Sequence, residues 1–162
     1  MRKIILTILL FLTGLVSFSQ KEEENGTIYI NHPYIDIVNK SVKAYVDRDI
    51  PTNTAIFADT ATIWFSGMGG NKPLPVKDVL KDWATDHDFY DSITVTKVGY
   101  PDYLHYKDKD QKYVQSWWTW SGKSKKTGEL LKIDFVQFDR FNSAGKIENE
   151  VLYGDFSKMI KK

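Results

Sequence analysis

LLKIDFVQFDRFNSAGKIENEVLY, residues 130–153, decides the fold. Two runs of strand-forming residues, Leu130 to Phe141 and Lys146 to Tyr153, flank Asn142-Ser143-Ala144-Gly145, a turn whose glycine supplies the positive φ that such connections need. In the first run Lys132 and Asp134 need water, so Leu131, Ile133, Phe135, Gln137 and Asp139 share the opposite face. The same rule applied to Glu148 and Glu150 turns Ile147, Asn149, Val151 and Tyr153 inward. Two amides, Gln137 and Asn149, then stand on apolar stripes of adjacent strands, within reach of each other. Leaving a buried amide unpaired costs on the order of 1–3 kcal/mol, so each is either a structural group that closes the core or a group that orients a ligand.

Upstream, the pattern stays β as far back as residue 92. Ser92 to Tyr100 and the aromatic Tyr113 to Ser121 read as strands, separated by the charged turn Lys107 to Lys112 and followed by a turn at Ser124 to Gly128. Trp118 and Trp120 fall on one face of the second strand and Trp117 on the other. One face lines an interior; the other, joined by Trp64, is a dimer contact or is covered by a neighbouring segment. Further upstream the period changes. Ile35, Val38, Val42, Tyr45 and Val46 recur at helical spacing after Pro33, with His32 or Asn31 at the cap. Asp49-Ile50-Pro51-Thr52 ends that helix, a short helical piece follows at Thr54 to Ala58, and Asp59 to Phe65 alternates as a strand. Val76, Val79, Leu80 and Trp83 mark another helix to about His87. Gly67 to Gly70 (GMGG) lacks the spacing of a phosphate loop and reads as a hinge at a pocket rim. With helices first, long strands last and no βαβ alternation, the class is α+β, with helices packed on one face of a curved antiparallel sheet.

The 162 residues are 42% hydrophobic and 27% charged, which suits one globular domain, and 22 Lys plus Arg against 21 Asp plus Glu give no field that would gather nucleic acid. Without cysteine there is no disulfide frame and no thiolate nucleophile, and without an HExxH or paired-histidine spacing neither a metal nor another cofactor is expected. Residues 1–19 read as a cleaved signal peptide: Arg2 and Lys3, an apolar run from Ile4 to Val16, then Ser17-Phe18-Ser19. That run is shorter than the ~20 residues of a membrane span. The mature protein is therefore expected to be periplasmic or secreted, with no stable membrane anchor. Residues 20–32 form a polar leader and 33–162 a single domain.

Two stretches carry a family resemblance: Phe57-Ala58-Asp59 entering the first strand (FADTATIWFSG), and Phe141-Asn142 to Gly145-Lys146-Ile147 in the last hairpin. With the order of elements, they resemble the SnoaL-like branch of the nuclear transport factor 2-like superfamily over Pro33 to Phe156. The resemblance implies a cone-like α+β fold, its curved antiparallel sheet wrapped around the N-terminal helices, with a pocket at one end, usually in a homodimer. It also implies site positions. The carboxylate base of the ketosteroid isomerases matches Phe65, which cannot accept a proton. Their protonated Asp matches Gln137, which can donate a hydrogen bond but cannot titrate. Their oxyanion Tyr matches Tyr45 or Ser41.

Three functions follow as expectations. The first is an exported binding domain for a small hydrophobic or aromatic molecule, its pocket walled by Phe65, Trp83, Phe135, Val151 and Tyr153 and its ligand oriented by Asn149 and Gln137. The second is a lyase, isomerase or cyclase acting on a small carbonyl compound, with His87 or Asp139 as acid or base. His87, between Asp86 and Asp88, is either that titrating group or a solvated histidine at a helix end. The third is a dimeric interaction module whose pocket is filled.

Overall fold

Pro33 and His32 start the first long helix as their chemistry requires. The computed structural model, which describes residues 23–67 and 72–159, has α1 at Pro33–Val46, with proline in the first turn and His32 Nδ1 accepting the Tyr34 amide at 3.1 Å. The segment read from sequence as a signal peptide, residues 1–19, and most of the glycine loop, residues 68–71, lie outside the described residues. Helix α2 spans Ile50–Ile56, beginning earlier than the sequence suggests. Asp49 caps it by accepting the Thr52 amide, so the stretch that separates it from α1 also starts it, with Pro51 in its first turn. Helix α3 spans Val76–Phe89 and buries Val76, Val79 and Leu80.

Eight strands form one sheet: β1 Gly26–Tyr29, β2 Phe57–Phe65, β3 Leu74–Pro75, β4 Tyr90–Lys97, β5 Asp102–Tyr106, β6 Gln111–Ser124, β7 Leu130–Phe141 and β8 Ile147–Gly154. Their order is β1-β5-β6-β7-β8-β2-β3, with β4 also paired to β6. All pairs are antiparallel except β2 with β8, which run parallel. The long β6 shares one edge between β5 and β4. Trp118 and Trp120 turn inward with Val114 and Ser116, which settles the face of this strand. Within the polar leader, Gly26–Tyr29 pair with Tyr103–Tyr106 as a solvent-exposed edge strand. Helices and concave sheet enclose one core in which Phe57, Ile63, Val38, Val79, Val114 and Ile147 are fully buried.

Strand β8 departs from strict alternation. Phe141 pairs with Ile147 and Arg140 with Asn149, leaving Glu148 as an extra residue that forms an ion pair with Arg140 at 2.8 Å. Such a bulge shifts the side-chain phase by one. Ile147 remains inside, but beyond the bulge Glu150 and Leu152 turn inward while Asn149, Val151 and Tyr153 turn out.

Candidate functional site

The concave face and α1 and α3 leave a hollow of about 340 Å³, closed on one side by Phe156 and Met159 of the C-terminal segment. Its walls are mostly apolar and aromatic. Four residues expected from sequence line it: Phe65 from the end of β2, Trp83 from α3, and Phe135 and Gln137 from β7. Tyr45 and Ser41, the two matches for the isomerases' oxyanion Tyr, line it too, as do Trp120, Leu152 and Glu150, which were not assigned to the pocket from sequence.

Three expected ligand contacts are elsewhere. Asn149 lies on the outer face, where its amide donates to the Thr62 hydroxyl at 3.2 Å and so ties β8 to β2. Val151 is on the same face. Tyr153 is 51% exposed and meets Trp64 and Phe138 edge to face. The supposed meeting of two amides does not occur, because Gln137 pairs with Leu152 and Asn149 with Arg140. The cause is the bulge at Glu148, which reverses the phase on which the sequence reading relied.

What Gln137 does meet is a pair of carboxyl groups. Asp139 and Glu150 stand directly opposite each other in the β7/β8 ladder, 0% and 1% exposed, and the Gln137 amide donates to both, at 2.9 Å to Asp139 Oδ2 and 3.2 Å to Glu150 Oε2. Two like charges taken out of water cannot both persist at this separation. Burial pushes the Asp139 carboxyl up to about 7, and burial together with the neighbouring Asp139 pushes Glu150 well above the usual carboxylate range. The pair therefore holds a proton at neutral pH. Glu150 opens onto the hollow and Asp139 lies behind it.

A second polar group faces the hollow from the helical side. The Tyr45 hydroxyl donates to Asp86 Oδ2 at 2.9 Å and accepts the Trp120 indole N–H at 2.8 Å. Burial first, and the Asp86 carboxyl next, raise Tyr45 well above its ordinary value, so the phenol keeps its proton as donor. His87, the helix-end candidate, is not on the hollow. Its Nε2 sits 3.1 Å from the Tyr45 carbonyl oxygen, and its own carbonyl accepts from Lys125 at 2.8 Å. One residue along a helix turns the side chain by about 100°, and here that step separates a rim histidine from the inward Asp86.

Sequence reasoning missed Glu150 because acids were assigned to water. One signal was available: neither phase of IENEVLYG is uniformly apolar, since Leu152 shares a phase with Glu148 and Glu150. A strand with no clean phase is one that contains a bulge.

No family model and no curated protein matches the sequence. Solved structures do. IdmH of Streptomyces antibioticus, a candidate polyketide cyclase, aligns at TM-score 0.63 and 19% identity over 79% of this chain and 96% of its own. AusH of Aspergillus nidulans aligns at TM-score 0.61 and 13% identity over 75% and 83% of the two chains. A Catenulispora acidiphila protein of ketosteroid isomerase-like fold, solved with trimethylamine, aligns at TM-score 0.56 and 17% identity over 73% and 84%. The helices laid in a curved α+β sheet and these likenesses together show that the chain has the ketosteroid isomerase-like, nuclear transport factor 2-like fold.

Proposed function

We propose that the chain is an exported protein that binds a small, largely apolar carbonyl compound in this hollow and promotes its enolisation, as an isomerase or cyclase must. One observation carries the reading: a fully buried carboxyl pair, bridged by Gln137, opens onto an apolar hollow through Glu150. A neutral carboxyl in such a site donates a hydrogen bond to a carbonyl oxygen and strengthens it as negative charge develops there. The mostly apolar lining lowers the local dielectric, which increases the value of that bond. The size of the hollow, about 340 Å³, suits a compound of two or three fused rings. The candidate cyclase IdmH is a parallel from a protein of the same fold, which by itself assigns no chemistry.

The test uses 2-tetralone, a flat enolisable ketone, in D2O, with loss of its α-proton signals followed by NMR. The folded protein accelerates exchange over buffer, and Glu150→Gln removes most of the acceleration, with general acid assistance of this kind being about 10²–10⁴-fold. Binding of the ketone with no acceleration would leave a binding domain and overturn the catalytic reading. Export and self-association belong to the same proposal. Cleavage after Ser19 predicts a secreted chain beginning at Gln20, read by intact mass. The outer-face rings Trp64, Trp117 and Tyr153 are the expected dimer contact, and Trp117→Glu would shift sedimentation to the monomer.

A further inference from the structure

A carboxyl at residue 86 interrupts a helix face that otherwise reads as core. The buried stripe of α3 runs Val76, Val79, Leu80 and on to Trp83, and the next position on that face is Asp86, only 3% exposed. A leucine there would fold the helix better, because an ionisable group on a buried stripe is costly unless it is held by donors. It is held: Tyr45 crosses from α1 to donate to Oδ2, and Trp120 crosses from β6 to fix the Tyr45 oxygen. Three elements thus aim one carboxyl at the hollow, on the wall opposite the one that carries Glu150. Sites that break a local folding rule and then brace the offending group are where function concentrates.

We infer that Asp86 is the base of the site, taking the α-proton of a flat enolisable ketone whose oxygen rests against Glu150, and that Tyr45 is a positioning residue for it. This rests on the reading of the hollow as a site for enolisation. In the step, the Cα–H bond breaks and its proton passes to an Asp86 carboxylate oxygen. The electron pair left on carbon forms the C=C bond of the enolate, and the carbonyl π pair moves to the oxygen that Glu150 supports by hydrogen bonding. Return of the proton to another carbon is isomerisation; attack of the enolate carbon on a second carbonyl of the same molecule is cyclisation. The flat aromatic walls, with Trp83 and Trp120 among them, favour a planar substrate spanning from the helical wall to the sheet. Phe65 occupies the isomerases' base position on the strand, and Asp86 supplies an equivalent function from a helix instead.

The experiment is the 2-tetralone exchange assay run on the full chain with Asp86→Asn, Asp86→Glu and Tyr45→Phe, together with ketone binding followed by tryptophan fluorescence. Asp86→Asn lowers kcat at least ~100-fold while the ketone still binds within about threefold of the wild type. Asp86→Glu restores part of the rate. Tyr45→Phe lowers kcat with little change in KM and moves the acid limb of the kcat profile to higher pH, because the base loses the hydrogen bond that favours its ionised form. The titratable and charged groups around Asp86 are Tyr45 from α1, Tyr90 from β4, Asp82 on its own helix, and Lys72 and Glu150 on the lining of the hollow. Wild-type rates in Asp86→Asn, or an unmoved acid limb in Tyr45→Phe, overturn the assignment and leave the Glu150 reading standing. Absence of exchange in the wild type overturns both.

Discussion

Replacing both buried acids by their amides, as in Asp139→Asn/Glu150→Gln, would make the protein more stable at neutral pH, and the gain would vanish in acid. The sign follows from where the proton sits. In the unfolded chain Asp139 titrates near 3.8, whereas in the folded protein burial lifts it to about 7. Between those values the folded state holds a proton that the unfolded state has given up, so stability falls as pH rises. Each pH unit across that span is worth about 1.4 kcal/mol, and about three units give about 4 kcal/mol, a large share of the 5–15 kcal/mol typical of a domain. Glu150 is raised too, and its contribution accrues in the same direction from its ordinary value of 4.5 upward, so about 4 kcal/mol is the smaller bound for the pair. The assay is urea unfolding by tryptophan fluorescence at half-unit steps from pH 4 to pH 8, for wild type and double variant in parallel. Surface carboxylates act equally on both proteins and cancel in the difference. The variant's advantage should be near zero at pH 4 and reach at least about 4 kcal/mol by pH 7. A difference that stays flat over this range would mean that the pair is not buried together, and the proton-holding site would fall with it.

Three further outcomes test the scaffold around the site. Ser66→Ala removes a hydroxyl that donates to the Gly154 carbonyl at 3.0 Å and accepts the Gly154 amide at 2.8 Å, joining the ends of β2 and β8. It should cost about 1–2 kcal/mol in urea titration. Gly26→Ala would place a Cβ 2.1 Å from the His105 carbonyl oxygen at φ +140°, so β1 should detach. Hydrogen exchange across Gly26–Tyr29 then accelerates while the melting temperature barely moves, because those residues are exposed. His32→Ala loses both the α1 cap and a ring stacked on Tyr103 at 3.6 Å, for about 1–2 kcal/mol at pH 8. Burial, with His105 nearby, lowers the His32 pKa below 6.5. The unfolded chain therefore takes up the proton first on acidification, and the deficit of the variant should shrink below pH 6.5.

The parts of the fold that were legible in the sequence are those where one physical preference acted alone. On β7, Lys132 and Asp134 do face water, so Ile133, Phe135, Gln137 and Asp139 are all inward, and the boundaries Leu130 to Phe141 hold to the residue. Helices α1 and α3 followed from their apolar spacing and from Pro33. Strand β5, Asp102–Tyr106, gave no signal, since five residues without alternation or turn chemistry stand out only when β6 pairs with them. The parallel pairing of β2 with β8 was equally hidden, because it joins segments some ninety residues apart and is fixed by Asn149 reaching Thr62. For the site, Phe65, Trp83, Phe135 and Gln137 were legible as cavity walls, while Asn149, Val151 and Tyr153 were lost to the bulge.

The two missed residues of the site, Glu150 and Asp86, share a cause. Both are acids on faces that apolar neighbours would fill, Leu152 beside one and Val79 and Trp83 beside the other. Pattern reading sends every acid to solvent because that is where an acid is cheapest, and it therefore reports what folding alone would choose. An acid kept inside is stable only where donors are arranged for it. Gln137 reaches Asp139 and Glu150, and Tyr45 with Trp120 braces Asp86. Those donors are themselves buried amide, phenol and indole groups that an apolar core would not need. The cost of the acids and the bracing that offsets it thus fall on the same few residues around a single hollow. That coincidence has a physical use when a proton must leave carbon on one side of a ligand while charge gathers on oxygen at the other.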